Sequence, residues 1–195
     1  ATELRGPQTF FMPFNQGSNG AGQVGGKGNP EAPEGQYTTS YLWERVLNRR
    51  MLLCILQRYI SLQEEERISI HKTTDGKIKQ DKKKSVKIIF PRYHQLDVVE
   101  KLLADTAEHG SGKNYLIQHS AGSGKSNSIA WVAYRLGALQ NAELKPMFNC
   151  VFVITDRRIL NSQLQKTILG FDHVDGTVET VKDSDPSTKL KTLIN

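Results

Sequence analysis

The chain predicts an α/β fold built on a parallel sheet, and three observations carry that prediction. Tyr115–Gln118 and Cys150-Val151-Phe152-Val153-Ile154, the latter within Met147–Thr155, are short apolar runs. Strands covered on both faces have that character. Segments with apolar residues spaced by 3 and 4 alternate with them, as crossover helices do. Between the first run and the helical pattern Ile129–Leu136 stands His119-Ser-Ala-Gly-Ser-Gly-Lys-Ser126, a glycine turn followed by a lysine and a hydroxyl.

In chain order, Gln8–Phe14 reads as a short strand broken by Pro13. Gly17–Gly28 holds six glycines among Asn, Ser and Gln, the composition of a loop or linker, and Pro30 and Pro33 extend it. Thr38, Thr39 and Ser40 are N-cap candidates for a helix from Tyr41 carrying Leu42, Trp43, Val46 and Leu47. Core packing is favoured over base stacking for Trp43, given its periodic neighbours. A second apolar pattern spans Leu52, Leu53, Ile55, Leu56, Tyr59 and Ile60. Asn48-Arg49-Arg50 is either a turn between the two or the exposed face of one long helix.

Arg67–His71 alternates as a strand, Asp75-Gly76 is a hairpin signal, and Lys77-Ile78-Lys79 resumes the alternation. Val86–Phe90 is a β-rich run closed by Pro91. A helix begins near Tyr93, runs through Leu96, Val99, Leu102 and Leu103, and ends at His109-Gly110-Ser111-Gly112. Asp156 is placed to cap a helix carrying Ile159, Leu160 and Leu164, and Thr177–Val181 reads as a further strand. Right-handed crossovers would connect the parallel strands.

The 195-residue length suits one domain, or one domain and part of another. Hydrophobic residues make up 37% and charged residues 24%, compatible with a soluble globular protein. No run of 18 apolar residues exists, so no transmembrane helix is expected. Ala1-Thr2-Glu3-Leu4-Arg5 lacks the start of a signal peptide. Cys54 and Cys150 lie inside apolar runs, which favours buried free thiols over a disulfide or metal site and fits a reducing cytoplasm. The histidines have no metal-ligand spacing.

The net charge of +6 is concentrated. Residues 71–90 hold seven lysines against Asp75 and Asp81, whereas residues 91–195 hold twelve basic and eleven acidic side chains. The stripe from Lys72 to Lys87, including Lys82, Lys83 and Lys84, is either a phosphate-backbone contact or a solvated hairpin. The second is favoured, because no aromatic residues are interleaved.

The turn has the chemistry of a triphosphate cradle. Triphosphate needs many N–H donors close together. Gly122 and Gly124 remove two Cβ atoms and permit backbone angles that other residues resist. Successive amides across Ala121, Gly122, Ser123 and Gly124 can then form an anion nest at the positive end of the following helix. Lys125 would reach the β- and γ-phosphates, and the Ser126 hydroxyl would coordinate Mg²⁺. The general pattern has glycine where this chain has His119. The relaxed form resembles that of superfamily 2 helicases and translocases. In that superfamily a glutamine about 30 residues upstream reads adenine, and Gln95 stands there. The same resemblance places Arg92 and Tyr93 near the base.

Phe90-Pro-Arg-Tyr-His-Gln95, Gln118-His-Ser-Ala-Gly-Ser-Gly-Lys-Ser126 and Val153-Ile-Thr-Asp-Arg157 together closely resemble the R (restriction) subunit of type I restriction–modification enzymes. Met12-Pro-Phe-Asn-Gln-Gly17 and Thr39-Ser-Tyr-Leu-Trp-Glu44 look like the segment between its nuclease and motor domains. The resemblance implies an ATP-driven translocase of duplex DNA coupled to an endonuclease, working with methyltransferase and specificity subunits. It implies a partial RecA-like domain, with Thr155 and Arg157 in a motif that faces DNA. Helix capping by Asp156 is the plainer alternative for that stretch. The division expected is residues 1–36 as the tail of a nuclease domain with the glycine-rich loop, 37–85 as a helical segment and basic connector, and 86–195 as the first half of the motor domain.

No Asp-Glu pair follows a strand after residue 126, and Asp183 and Asp185 sit in a Ser/Pro-rich loop. An acidic pair would hold Mg²⁺ and orient water. The Asp…Glu-x-Lys set of a metal-dependent nuclease is absent too. The expectation is therefore a fragment that binds ATP and hydrolyses little by itself. Another superfamily 2 helicase or remodeller, a non-enzymatic DNA-binding or assembly module, and a P-loop kinase are the alternatives, the last disfavoured for want of acceptor-binding features.

Overall fold

A computed structural model describes residues 2–4, 7, 9–72, 78–156, 158–171, 177–182 and 184–194. Residues 2–4, 64–72, 78–85, 158–163 and 187 are described by their backbone. The elements are β1 (Thr2–Leu4), a π-helical turn (Leu42–Val46), α1 (Arg49–Arg58), β2 (Ser61–Lys72), β3 (Ile78–Phe90), α2 (Tyr93–His109), α3 (Lys125–Gly137), α4 (Arg158–Leu169) and α5 (Ser187–Ile194).

The basic hairpin forms as the alternation predicts. β2 and β3 pair antiparallel from Ser61↔Ile89 to Lys72↔Ile78, and β1 adds to the other edge of β3 with Thr2 opposite Phe90. The order is β1-β3-β2. The Asp75-Gly76 turn lies outside the described residues. β3 runs unbroken through residues 85 and 86, so the part of the lysine stripe from Lys79 to Lys87 and the Val86–Phe90 run belong to one strand, while Lys72 ends β2. Lys82, Lys83 and Lys84 lie on it opposite Ile68, Arg67 and Glu66.

The expected parallel sheet is not formed among the described residues. Tyr115–Gln118 and Met147–Thr155 carry no strand, the isolated bridge between Gln140 and Pro146 lies outside both, and Cys150, expected to be buried, is exposed. Leu116 is 96% exposed and Ile154 92%. A buried parallel strand needs a hydrogen-bonded neighbour and cover on both faces, and an apolar run supplies neither by itself. Tyr115 is held instead by its phenol, which donates to Asp105 Oδ2 at 2.5 Å, beside the Lys113 ammonium at 2.8 Å from Oδ1. Thr177–Val181 likewise carries no strand. Of the strand expected at Gln8–Phe14, only Phe10 forms a bridge among the described residues, Gln8 lying outside them.

The front helix divides. Asn48 caps α1, its side-chain oxygen accepting the Met51 N–H at 2.9 Å, so Asn48-Arg49-Arg50 is a turn into a new helix. The preceding turn is π-helical, with the Leu47 N–H donating to the Leu42 carbonyl five residues back. That winding shifts the phase of the apolar positions. Tyr41 and Val46 are buried, while Trp43 is 51% exposed and packs edge to face with Tyr37. The core position expected for Trp43 is therefore corrected.

The core gathers on α2. Tyr93, Leu96, Val99 and Leu103, spaced by 3, 3 and 4, form its buried stripe. α3 packs on α2 and α4 packs on α3. Trp131 of α3 is fully buried and its indole N–H donates to the Tyr59 carbonyl at 3.0 Å. The Tyr59 hydroxyl donates to Glu100 Oε1 at 2.6 Å, and Arg135 pairs with both. Burial pushes the Tyr59 phenol far above its ordinary range.

Trp131→Ala removes the largest fully buried side chain and leaves the Tyr59 carbonyl without its donor. It should destabilise the chain by about 3–5 kcal/mol, read as a lower midpoint in urea unfolding.

Candidate nucleotide site

α2 and α3 present their N-termini to the same loop. Gly124 is the N-cap of α3 at φ 82° and ψ 33°, and Gly122 sits at φ 72°. Both angles lie where a Cβ is costly. A Cβ built on Gly122 meets no protein atom within 4 Å, so its requirement is conformational, and the space beside it is free for a ligand. The turn closes through the Ser123 N–H to the Ser120 carbonyl at 3.3 Å. Asn127 and Ser128 N–H groups then both reach the Gly124 carbonyl, at 3.0 and 3.3 Å. The glycine turn expected before a helix N-terminus is thus formed, with the Ser123 N–H used inside it.

Lys125 folds back over the loop. Its ammonium donates to the carbonyls of Ser120 at 2.9 Å and His119 at 3.2 Å. The side chain is exposed, so these carbonyls hold it at the mouth of the cradle and a phosphate can replace them. Ser126, half-buried, follows in the first turn.

The glutamine has a role that its spacing did not reveal. Gln95 is fully buried. Its Oε1 accepts the Arg92 N–H at 2.9 Å, and its Nε2 donates to the Gly124 carbonyl at 2.8 Å. One amide thus caps α2 and fastens the phosphate loop. His94 does the same one residue earlier: its Nε2 lies 3.0 Å from the Ser123 carbonyl. Nothing in the spacing of His94 marks it for this contact. Its signal was adjacency to Gln95 in the first turn of a helix.

Tyr93 is buried in the core, edge-on to Phe14 and Tyr41, with its hydroxyl bonded to Arg45. Its ring is thus engaged away from solvent. Arg92 is half-buried beside the loop. Ala121 lies exposed on the turn. Thr155 is half-buried in an irregular segment, and Arg157 lies outside the described residues. The structure does not gather Thr155 with the phosphate loop in any hydrogen bond among the described residues.

The donor set fits a bound triphosphate. Among the described residues, the buried side-chain atoms without a hydrogen-bond partner are Arg92 Nε, His119 Nδ1, Ser123 Oγ and Ser128 Oγ. Three of these four belong to the loop or to the residue capping α2. Buried polar atoms are otherwise almost always paired, so their clustering marks a place for a polar ligand. The described residues hold no His/Cys/Asp/Glu group suited to a metal ion. A Mg²⁺ held by Ser126 would share its coordination with phosphate oxygens and water.

Burial holds both His94 and His119 below the ordinary histidine value of 6.5, with Lys125 adding to the effect at His119. The unfolded chain then binds protons at higher pH than the folded chain. The stability from neutral imidazoles is present above about pH 6.5 and is lost as pH falls through that value. The melting temperature should drop between about pH 7.5 and about pH 5.5, and drop less in His94→Gln.

No curated protein and no solved structure matches the chain. The family model described as SWI2/SNF2 ATPase matches residues 94–195. The match begins at His94, takes in Gln95 and the whole phosphate loop, and covers more than half of the chain. With the cradle formed by Gly122, Gly124 and Lys125 inside the matched span, the chain belongs to the SWI2/SNF2 ATPase family of superfamily 2 helicase-like ATPases.

Proposed function

We propose that this chain is the ATP-binding part of a motor that moves on duplex DNA. The observation that carries the reading is the phosphate loop: two left-handed glycines, the Lys125 ammonium over their turn, and α2 fastened to it through Gln95. Lys125 would exchange the carbonyls of His119 and Ser120 for the β- and γ-phosphates. The amides of Gly122 to Ser126 would surround the phosphates, and Ser126 would hold Mg²⁺. Bound Mg²⁺-ATP supplies a phosphoryl group whose transfer to water releases the energy for movement. Gln95 would read adenine only by giving up one of its two internal partners.

The RecA-like parallel sheet rests on the family match. Leu116 and Ile154, exposed here, are the apolar positions that sheet would use. The finer proposal is the motor subunit of a type I restriction endonuclease, joined to methyltransferase and specificity subunits. Residues 1–36 would then be the tail of its nuclease domain, 37–85 a connector, and 86–195 the first half of the motor domain. The front-segment motifs support it. A chromatin-type remodeller or other superfamily 2 motor is the second reading, and the SWI2/SNF2 description favours it. Thr155, Arg157 and the lysines 82, 83 and 84 are proposed DNA contacts in either case.

The 195-residue chain should bind Mg²⁺-ATP with a dissociation constant weaker than about 10 μM and show no DNA-stimulated turnover. Lys125→Ala should weaken binding at least about tenfold without lowering the melting temperature. Calorimetry and an ATPase assay with and without duplex DNA measure both. Robust turnover abolished by Lys125→Ala would overturn the claim that this stretch lacks its catalytic acidic pair. Copurification of a methyltransferase subunit with the endogenous protein separates the restriction reading from the remodeller reading.

A further inference from the structure

The loop has a side chain, His119, where the general phosphate-loop pattern has glycine. Its imidazole does not point away from the site. It packs edge-on against His94, with ring centroids 4.8 Å apart and an interplanar angle of 84°. His94 in turn contacts the Ser123 carbonyl at 3.0 Å. A carbonyl oxygen can only accept, so Nε2 of His94 carries the proton. Burial lowers the pKa of His94, which keeps the ring neutral and its other nitrogen bare.

Two consecutive carbonyls of the loop are thereby held by two consecutive residues of α2: Ser123 by His94 and Gly124 by Gln95. A peptide whose carbonyl is tied to one side turns its following amide to the other. Holding both carbonyls against α2 aims the Gly124 and Lys125 amides at the open face of the turn, where Gly122 leaves free space. His119 limits the rotation of the His94 ring, because edge-on packing fixes a ring plane. Neither histidine belongs to the hydrophobic core of the described residues, and both are half-buried.

We propose that His94 is a positioning residue of the phosphate loop, with His119 as the packing partner that keeps its donor on the Ser123 carbonyl. The proposal deepens the nucleotide-binding reading and rests on it for the ligand, while the loop geometry stands on the protein alone.

The experiment measures amide hydrogen exchange in the 195-residue chain at Ser123, Asn127 and Ser128, whose acceptors are the carbonyls of Ser120 and Gly124. Val99, fully buried in α2, is the internal reference for global opening. His94→Phe keeps an aromatic ring and loses the donor; it should speed exchange at Ser123 and Asn127 about tenfold while Val99 is unchanged. His94→Gln restores an N–H at the same reach and should stay within about threefold of wild type. His119→Ala should speed exchange at Ser123 in the wild-type background and add nothing in the His94→Phe background. Wild-type exchange in His94→Phe, equal damage in His94→Gln, or additive effects of the two histidines would each overturn the proposal. If His94→Phe does not fold, wild-type exchange at Ser123 in His119→Ala does so. Calorimetry with Mg²⁺-ATP is the second readout, in which His94→Phe should weaken binding about tenfold and His94→Gln should not. A wild-type chain that fails to bind Mg²⁺-ATP while the exchange pattern holds overturns the nucleotide reading and leaves the role of His94 standing.

Discussion

A primary amide that is wholly withdrawn from water must find partners for both its ends, and in this protein that amide is Gln95. Its oxygen takes the Arg92 N–H, one of the donors that a helix start leaves unpaired, and its nitrogen takes the Gly124 carbonyl. The start of α2 and the loop before α3 are thus tied by one side chain. With the Ser123 and Gly124 carbonyls held against α2, the trans peptides turn the Gly124 and Lys125 amides to the opposite side. That is the condition for holding a compact anion, since donors scattered in direction cannot converge on one phosphate.

The same elements are braced from behind by a polar cluster. Tyr59, at the end of α1, meets Glu100 of α2 and Arg135 of α3, and Trp131 covers the Tyr59 carbonyl. Removing charges from water is costly, and this cluster offsets the cost because each member has more than one partner. Its geometric effect is plain: Arg135 lies nearly three turns along the helix that Lys125 begins, so the brace sets the direction in which the helix start points at the site. Core packing and site geometry share one helix.

Much of the local order was legible in the sequence, for local reasons. The 3-and-4 spacing from Tyr93 to Leu103 marked α2, Pro91 before it and His109-Gly110 after it marked its ends, and the alternation around Asp75-Gly76 marked the hairpin. What failed were judgements about burial. Trp43 has helical neighbours, yet a π-helical turn carries it to the surface, and Tyr41 and Val46 take the interior. Tyr115–Gln118 and Met147–Thr155 have the composition of parallel strands, yet no ladder partner stands beside them among the described residues. α5 passed unseen because Ser187–Ile194 is short and follows a Pro/Ser-rich stretch.

For the site, the sequence by itself determined the chemistry. Glycine, lysine and serine at that spacing admit few ligands, because positive φ, a mobile ammonium and a hydroxyl are properties of those residues wherever they stand. Family membership follows from the same stretch, as the match over residues 94–195 shows. Only the tertiary structure decided how the loop is held. A helix start 29 residues upstream supplies Gln95 and His94 to its carbonyls, and His119 of the loop meets the same His94. Spacing along a chain carries no information on which donor will face which carbonyl. That is settled by the packing of α2 against α3, a non-local event driven by burying Val99, Leu103, Ala130 and Trp131 together.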